Sequence, residues 1–317
     1  MKIITLIISI LMSINIFGQS ATAHTTYNET STISKDGTKI GYRKYGHGPG
    51  LILVQGAMGT VFNYHELAKA LSNDFTVYVP ERRGRGLSVK EFTPDHVIER
   101  DVEDVKSIIT ASGASYIFGL SSGAIITLEA TKELPSIKMA AIYEPPFYVT
   151  DAVPVKKINT VFKEISNGNL SAALANVFKI VKVGPKIFNY IPLPILKQLT
   201  RAFIKSEDKK KNGQYAKVRD LIPAMRFDFT AVLQGGGKVQ TYSAINKPVL
   251  LLGGSKSPKY LKDALDTLEK ILPEENRVKF KNLDHSGPWN TDRGGNPEII
   301  SKALIIFFKK DEFNSKN

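Results

Sequence analysis

Short stretches that are apolar at every position alternate along this chain with longer stretches in which apolar residues recur every three or four positions. Leu51-Ile52-Leu53-Val54, Phe75-Thr76-Val77-Tyr78-Val79, the run from Tyr116, Met139-Ala140-Ala141-Ile142-Tyr143 and Pro248-Val249-Leu250-Leu251-Leu252 are of the first kind. A strand buried on both faces needs no polar alternation, so these runs predict a parallel sheet covered by helices on each side. Helices are expected over Tyr64 to Leu71, His96 to Ser112, the segment ending at Glu133, Tyr260 to Leu272, and Pro297 to Phe308. The stretch Thr32 to Tyr45, with the turn signal Asp36-Gly37, predicts an antiparallel hairpin leading in. Arg277 to Leu283 is expected to form the last strand.

The alternation stops after Tyr143. From Phe147 to about Gln240 the periodicity is helical, carried by Ile158, Val161, Phe162 and Ile165 and then by Leu170, Leu174, Val177, Phe178 and Val181. Pro192 and Pro194 break it, and Gly235-Gly236-Gly237 lead out. The fold class is therefore α/β, a mostly parallel doubly wound sheet with an inserted helical cap. The first core segment covers 24–149, the cap insertion 150–240 and the second core segment 241–317.

The N-terminus changes the picture of where the protein works. Met1-Lys2 followed by the uncharged run Ile3 to Phe17 and by Ala21-Thr22-Ala23 has the form of a secretory signal peptide over residues 1–23. The apolar run is too short to span a bilayer, so a secreted or periplasmic protein without a stable membrane span after cleavage is expected. The chain has no cysteine, hence neither disulfides nor lipoprotein attachment.

Charge narrows the partners. The net charge is +13, and residues 151–240 alone carry sixteen Lys and Arg against six Asp and Glu. This excess reads either as a solvated surface or as attraction for an anionic substrate or lipid surface. Lys209-Lys210-Lys211 has no accompanying aromatic stacking pattern, which argues against nucleic acid.

One pentapeptide carries chemistry. Gly119-Leu120-Ser121-Ser122-Gly123 lies between a predicted strand and a predicted helix, where the G-x-S-x-G pattern turns so sharply that the serine hydroxyl is left exposed. A serine needs a base and an orienting group. Of the five histidines only His285 follows a predicted strand, in Leu283-Asp284-His285-Ser286-Gly287-Pro288. Strand-to-helix loops of a parallel sheet gather at one edge, so Ser121 and His285 can meet. Glu144, directly after the strand Met139 to Tyr143, is a candidate acid, with Asp263 the alternative; Asp284, next to the base, is expected to point away. The backbone N–H groups of Ser122 and of Ala57, in Gln55-Gly56-Ala57-Met58-Gly59, are candidate oxyanion donors.

The turn Gln55-Gly56, the segment Glu81-Arg82-Arg83-Gly84-Arg85-Gly86-Leu87-Ser88, the elbow and His285, in that order, resemble the α/β-hydrolase superfamily. The second of these is similar to its D-x-R-G-x-G-x-S motif. The resemblance covers residues 30–149 and 240–310. It implies a catalytic acid after either of two strands. Ser257 vacates the commoner position, and Glu144 fits the other, used by some haloalkane dehalogenases. Those enzymes and epoxide hydrolases attack with aspartate, which Ser121 argues against. The expected function is a secreted serine hydrolase of a carboxylic ester or related acyl compound, needing no metal or organic cofactor. A ligand-binding protein with little turnover, and a perhydrolase or acyltransferase using the same triad, are the alternatives.

Overall fold

Leu51 and Leu53 face one side of a sheet and Ile52 and Val54 the other, and all four are buried. That division follows from the two-residue period of a strand and explains why the run has no polar position. In the computed structural model, which describes residues 27–183, 186–210, 213–273 and 275–314, the same logic holds for the central strands. The expected signal segment and His24 lie outside these residues.

In chain order the core begins with β1 (Tyr27–Ile33), β2 (Lys39–Tyr45) and β3 (Gly50–Val54). A single 3-10 turn (Val61–Tyr64) leads into α1 (His65–Leu71), followed by β4 (Thr76–Pro80), α2 (Ile98–Ser112), β5 (Tyr116–Leu120), α3 (Ser122–Glu133) and β6 (Met139–Tyr143). The segment between sheet strands contains α4 (Val155–Ser166), α5 (Leu170–Val181), α6 (Leu193–Asp208), α7 (Val218–Leu221) and α8 (Met225–Gly235). The chain closes with β7 (Val249–Gly254), α9 (Lys259–Ile271), β8 (Glu275–Phe280) and α10 (Pro297–Asn314).

The eight strands lie in the order β1-β2-β4-β3-β5-β6-β7-β8. β1 and β2 pair antiparallel, as does β2 with β4, and every later pair is parallel. From β3 the chain steps outward to β4 and then back across to β5. The strand order therefore reverses between β3 and β5, and a crevice opens at their carboxyl ends. One face of the sheet packs on α2, α3, α8 and α9, the other on α1 and α10.

Several boundaries differ from the sequence reading. The hairpin begins at Tyr27 rather than Thr32, since β2 pairs with β1 as far as Tyr45 opposite Tyr27, and β7 runs on to Gly254. The second helix starts at Ile98 rather than His96, because Val97 is extended (φ −129°, ψ 154°) and the His96 ring is turned in to Asp101. The last strand runs Glu275–Phe280 rather than Arg277 to Leu283; Asn282 has φ 67°, which ends extended structure. The closing helix continues past Phe308 to Asn314. Among the described residues, no helix is long and apolar enough to cross a membrane.

The Glu81–Ser88 segment is held by buried charge. Arg83, fully buried, donates from Nε and Nη2 to the two oxygens of Asp104 (2.7 and 2.5 Å) and from Nη1 to Asp36 (3.0 Å). Removing one member of such a pair strands the other in low dielectric. Arg83→Met is expected to lower unfolding free energy by about 3–5 kcal/mol, read from urea denaturation. Nearby, burial pushes the Glu81 carboxyl up to about 7 from 4.5, while Arg85 and the Val61 N–H draw it down. Below about 4.5 Glu81 is neutral in both states and costs the fold nothing. Between there and about 7 the unfolded chain ionises first, so stability falls as pH rises, by up to about 1.4 kcal/mol per unit. Glu81→Gln is expected to remove this part of the pH dependence in urea titrations between pH 5 and 7.5; parallel profiles for the two proteins would refute it.

Candidate active site

The turn after β5 is as tight as the sequence pattern demands. Ser121 stands at the N-cap of α3 with φ 57° and ψ −124°, a region few side chains tolerate. Its N–H donates to the Tyr143 carbonyl (2.9 Å), which ties the turn to β6. Gly123 lets α3 rest against the end of β3: a Cβ there would sit 2.4 Å from the Gln55 carbonyl oxygen.

Glu144 follows β6 and is fully buried, again with a left-handed backbone (φ 48°). Its two carboxylate oxygens each have one partner. Oε1 accepts the Gly254 N–H from the end of β7 (2.6 Å), and Oε2 lies 2.8 Å from His285 Nδ1. A carboxylate on Nδ1 fixes the ring and leaves Nε2 as the free face of the imidazole. The loop bearing His285 is positioned by Tyr143, whose hydroxyl donates to the Asp284 carbonyl (2.7 Å), and by the Lys256 N–H, which donates to the Leu283 carbonyl (2.9 Å). Asp284 turns away from the ring, accepting from the Ser286 N–H (2.9 Å) and hydroxyl (2.7 Å). Asp263 is elsewhere, on α9, with both oxygens 2.7 Å from Lys259 Nζ. The structure thus brings Glu144 to His285, and not Asp263.

Ser121, Ser122, His285 and Ala57 line one cavity of about 300 Å³. Gly56 and Gly59 bracket a turn, with the Gly59 N–H donating to the Gly56 carbonyl (3.2 Å) and Met58 at φ 59°. Gly56 passes so near Ser121 that a Cβ on it would lie 2.9 Å from the serine Cβ. Ala57, the next residue, lines the same cavity as Ser121 and Ser122. Away from these groups the wall is mainly apolar, with Leu174, Val177 and Phe178 from α5, Phe203 from α6 and Phe229 and Val232 from α8.

One cluster at this site was not foreseen. Arg82 Nη1 donates to the Ser122 hydroxyl (2.9 Å), to Asp228 Oδ1 (2.5 Å) and to the Gln55 carbonyl (3.3 Å). Its Nη2 reaches Asp101 (3.3 Å), which also holds His96 Nε2 (3.0 Å). Arg85 joins Asp228 Oδ1 (2.9 Å) to the Gly59 carbonyl (2.9 Å). These charges, nine-tenths or more buried, connect the Gly56–Gly59 turn, the start of α3 and the helical segment through α8. The available signal was Asp228 itself, a carboxylate between Phe227 and Phe229 on a helix that is largely buried. No group of three or more His, Asp or Glu residues placed to hold a metal occurs among the described residues.

Comparison with known proteins agrees with this architecture. A family model described as the Alpha/beta hydrolase family matches residues 49–294. The hydrolase YraK of Bacillus subtilis is 32% identical over 101 residues, covering 31% of this chain and 37% of that protein. N-formylmaleamate deformylase of Pseudomonas putida is 28% identical over 125 residues, or 38% of this chain and 47% of the relative. The chain therefore matches less than half the length of either of these curated relatives. The crystal structure of an alpha/beta hydrolase from Sphaerobacter thermophilus superposes with a TM-score of 0.71 at 27% identity, covering 88% of this chain and 100% of that one.

Proposed function

The chain belongs to the alpha/beta hydrolase family, and on that premise we propose that this hydrolase cleaves carboxylic esters or related acyl compounds with Ser121, His285 and Glu144 as its triad. The observation that carries the reading is the buried Glu144 carboxylate 2.8 Å from His285 Nδ1, with His285 and the strained Ser121 on the wall of one cavity.

In this reading His285 takes the proton of the Ser121 hydroxyl through Nε2 as the oxygen attacks the acyl carbon. The negative charge that develops on the carbonyl oxygen is met by the N–H groups of Ala57 and Ser122, fixed beforehand by the turn and by the helix start. His285 then protonates the leaving alcohol, and water, activated by the same ring, releases the acid from the acyl-enzyme. Glu144 keeps the proton on Nδ1 and stabilises the imidazolium. The apolar walls from α5, α6 and α8, which act as a cap, suit a hydrocarbon acyl or alcohol portion. Export by residues 1–23 would place this activity outside the cytoplasm. No observation favours perhydrolysis, transfer to an alcohol or binding without turnover over hydrolysis.

A fluorophosphonate probe is expected to label the wild-type protein and not Ser121→Ala; equal labelling of both removes Ser121 as nucleophile. Glu144→Gln would set an amide NH₂ against either the Gly254 N–H or the His285 Nδ1 proton. Its kcat on a 4-nitrophenyl ester should drop roughly 10²–10⁴-fold with an unaltered circular dichroism spectrum. Turnover within a factor of a few of wild type would move the orienting role to another residue.

A further inference from the structure

We propose that Arg293 is an anion-binding residue of the cavity, so that the preferred substrates are acyl esters carrying a carboxylate or other anionic group. The proposal rests on the hydrolytic reading above and names the substrate class for it.

Besides His285, three ionisable charged residues line the cavity: Glu207, Asp228 and Arg293. Both acids are neutralised from within the protein. Glu207 pairs with Lys210 (2.5 Å), and Asp228 is shared by Arg82 and Arg85. Arg293 is different, since among the described residues no carboxylate forms an ion pair with it. Its neighbour in sequence, Asp292, is not part of the lining and accepts instead from the Tyr215 hydroxyl (2.5 Å). Among the described residues, Arg293 is therefore the cation on the cavity wall that forms no ion pair with a carboxylate. Set in a mainly apolar surround, a half-buried guanidinium gains from a ligand carboxylate or phosphate far more than it would in water.

The group is also held ready. Its guanidinium lies 3.8 Å from the centroid of the Tyr215 ring, a cation–π contact that holds the group at the cavity wall. The turn Thr291–Arg293 is fastened to the segment around α1. The Asn290 N–H and amide donate to the carbonyls of Asn63 (3.0 Å) and Phe62 (2.7 Å), while Glu66 accepts from the N–H and hydroxyl of Thr291 (3.0 and 3.1 Å). A charge positioned before the ligand arrives costs little ordering on binding. Arg293 and His285 stand on the same loop after β8, so the anion site and the proposed base are set by one piece of backbone.

The experiment compares kcat/KM for matched esters. A mono-4-nitrophenyl ester of glutaric acid, charged on the acyl side, is set against 4-nitrophenyl pentanoate. A benzoate bearing a butanoyloxy group, charged on the alcohol side, is set against phenyl butanoate. Wild type is expected to prefer at least one charged ester over its neutral partner by roughly tenfold or more, and which one tells the side on which the anion sits. Arg293→Gln should bring that ratio to about one and Arg293→Lys should restore part of it, with melting temperatures checking the fold. Added salt should lower the wild-type ratio. No preference for either charged ester, or a preference that Arg293→Gln leaves intact, overturns the proposal. Hydrolysis that persists in Ser121→Ala would instead overturn the reading on which it rests, so the two failures are separable.

Discussion

A carboxylate with no exposed surface has to be satisfied by donors that the fold itself supplies, and Glu144 is such a group. One donor is the Gly254 N–H at the end of β7 and the other is the His285 ring on the loop after β8. Both exist at that point only because β6, β7 and β8 are adjacent and parallel, so that their carboxyl ends converge. The same requirement explains Gly253-Gly254. A side chain on Gly253 would meet Leu265 Cδ1 at 2.7 Å and crowd the Glu144 carboxylate, with its Cβ 3.3 Å from Oε1, and one on Gly254 would strike the backbone at Leu283 that carries the histidine loop. The end of β7, where the family resemblance would place the commoner acid, is here the cradle for the acid from β6.

A second buried constraint connects this edge to the helices above it. Arg82 and Arg85 both spend their charge on Asp228 Oδ1, while Arg82 also touches the Ser122 hydroxyl and Arg85 the Gly59 carbonyl. Movement of α8 would therefore be felt at both proposed oxyanion donors. Buried ion pairs of this kind add little net stability against well-packed apolar residues, but their directional bonds admit few arrangements. Here they fix the relative placement of two loops and a helix that the sequence separates by up to 146 residues. The strained backbones at Ser121, Met58 and Glu144 all lie around this region, which suits a surround that over-determines its geometry.

The sheet was legible because its central strands are apolar throughout, and β6 in particular begins and ends where the pattern says, at Met139 and Tyr143. Glu144 was legible for a topological reason: a residue directly after a parallel strand must appear at the carboxyl edge. Helix and strand ends were less so, because His96 and Asn282 take their conformations from a buried partner and a loop rather than from local periodicity. Asp228 and Arg293 were out of reach. One sits in a helix whose apolar periodicity says nothing of the arginines 146 and 143 residues earlier, and the other lies in a short turn stabilised by residues from α1.

The distribution of charge in the cavity reverses what the composition suggests. Residues 151–240 carry the excess of lysine and arginine, and that excess invited the idea of attraction for an anion. Yet among the described residues this segment gives the cavity mainly apolar side chains, and the charged residues it contributes there are the acids Glu207 and Asp228. Arg293, the cation at the wall, comes from outside that segment, on the loop that also bears His285. Long basic side chains on helices bury their inner apolar faces and keep their ammonium groups in water, so net charge along a segment says little about the sign presented inward. In the proposal above the anion is met by Arg293, whereas lysines exposed on the insertion would contribute only a field that salt screens over about 8 Å at physiological strength.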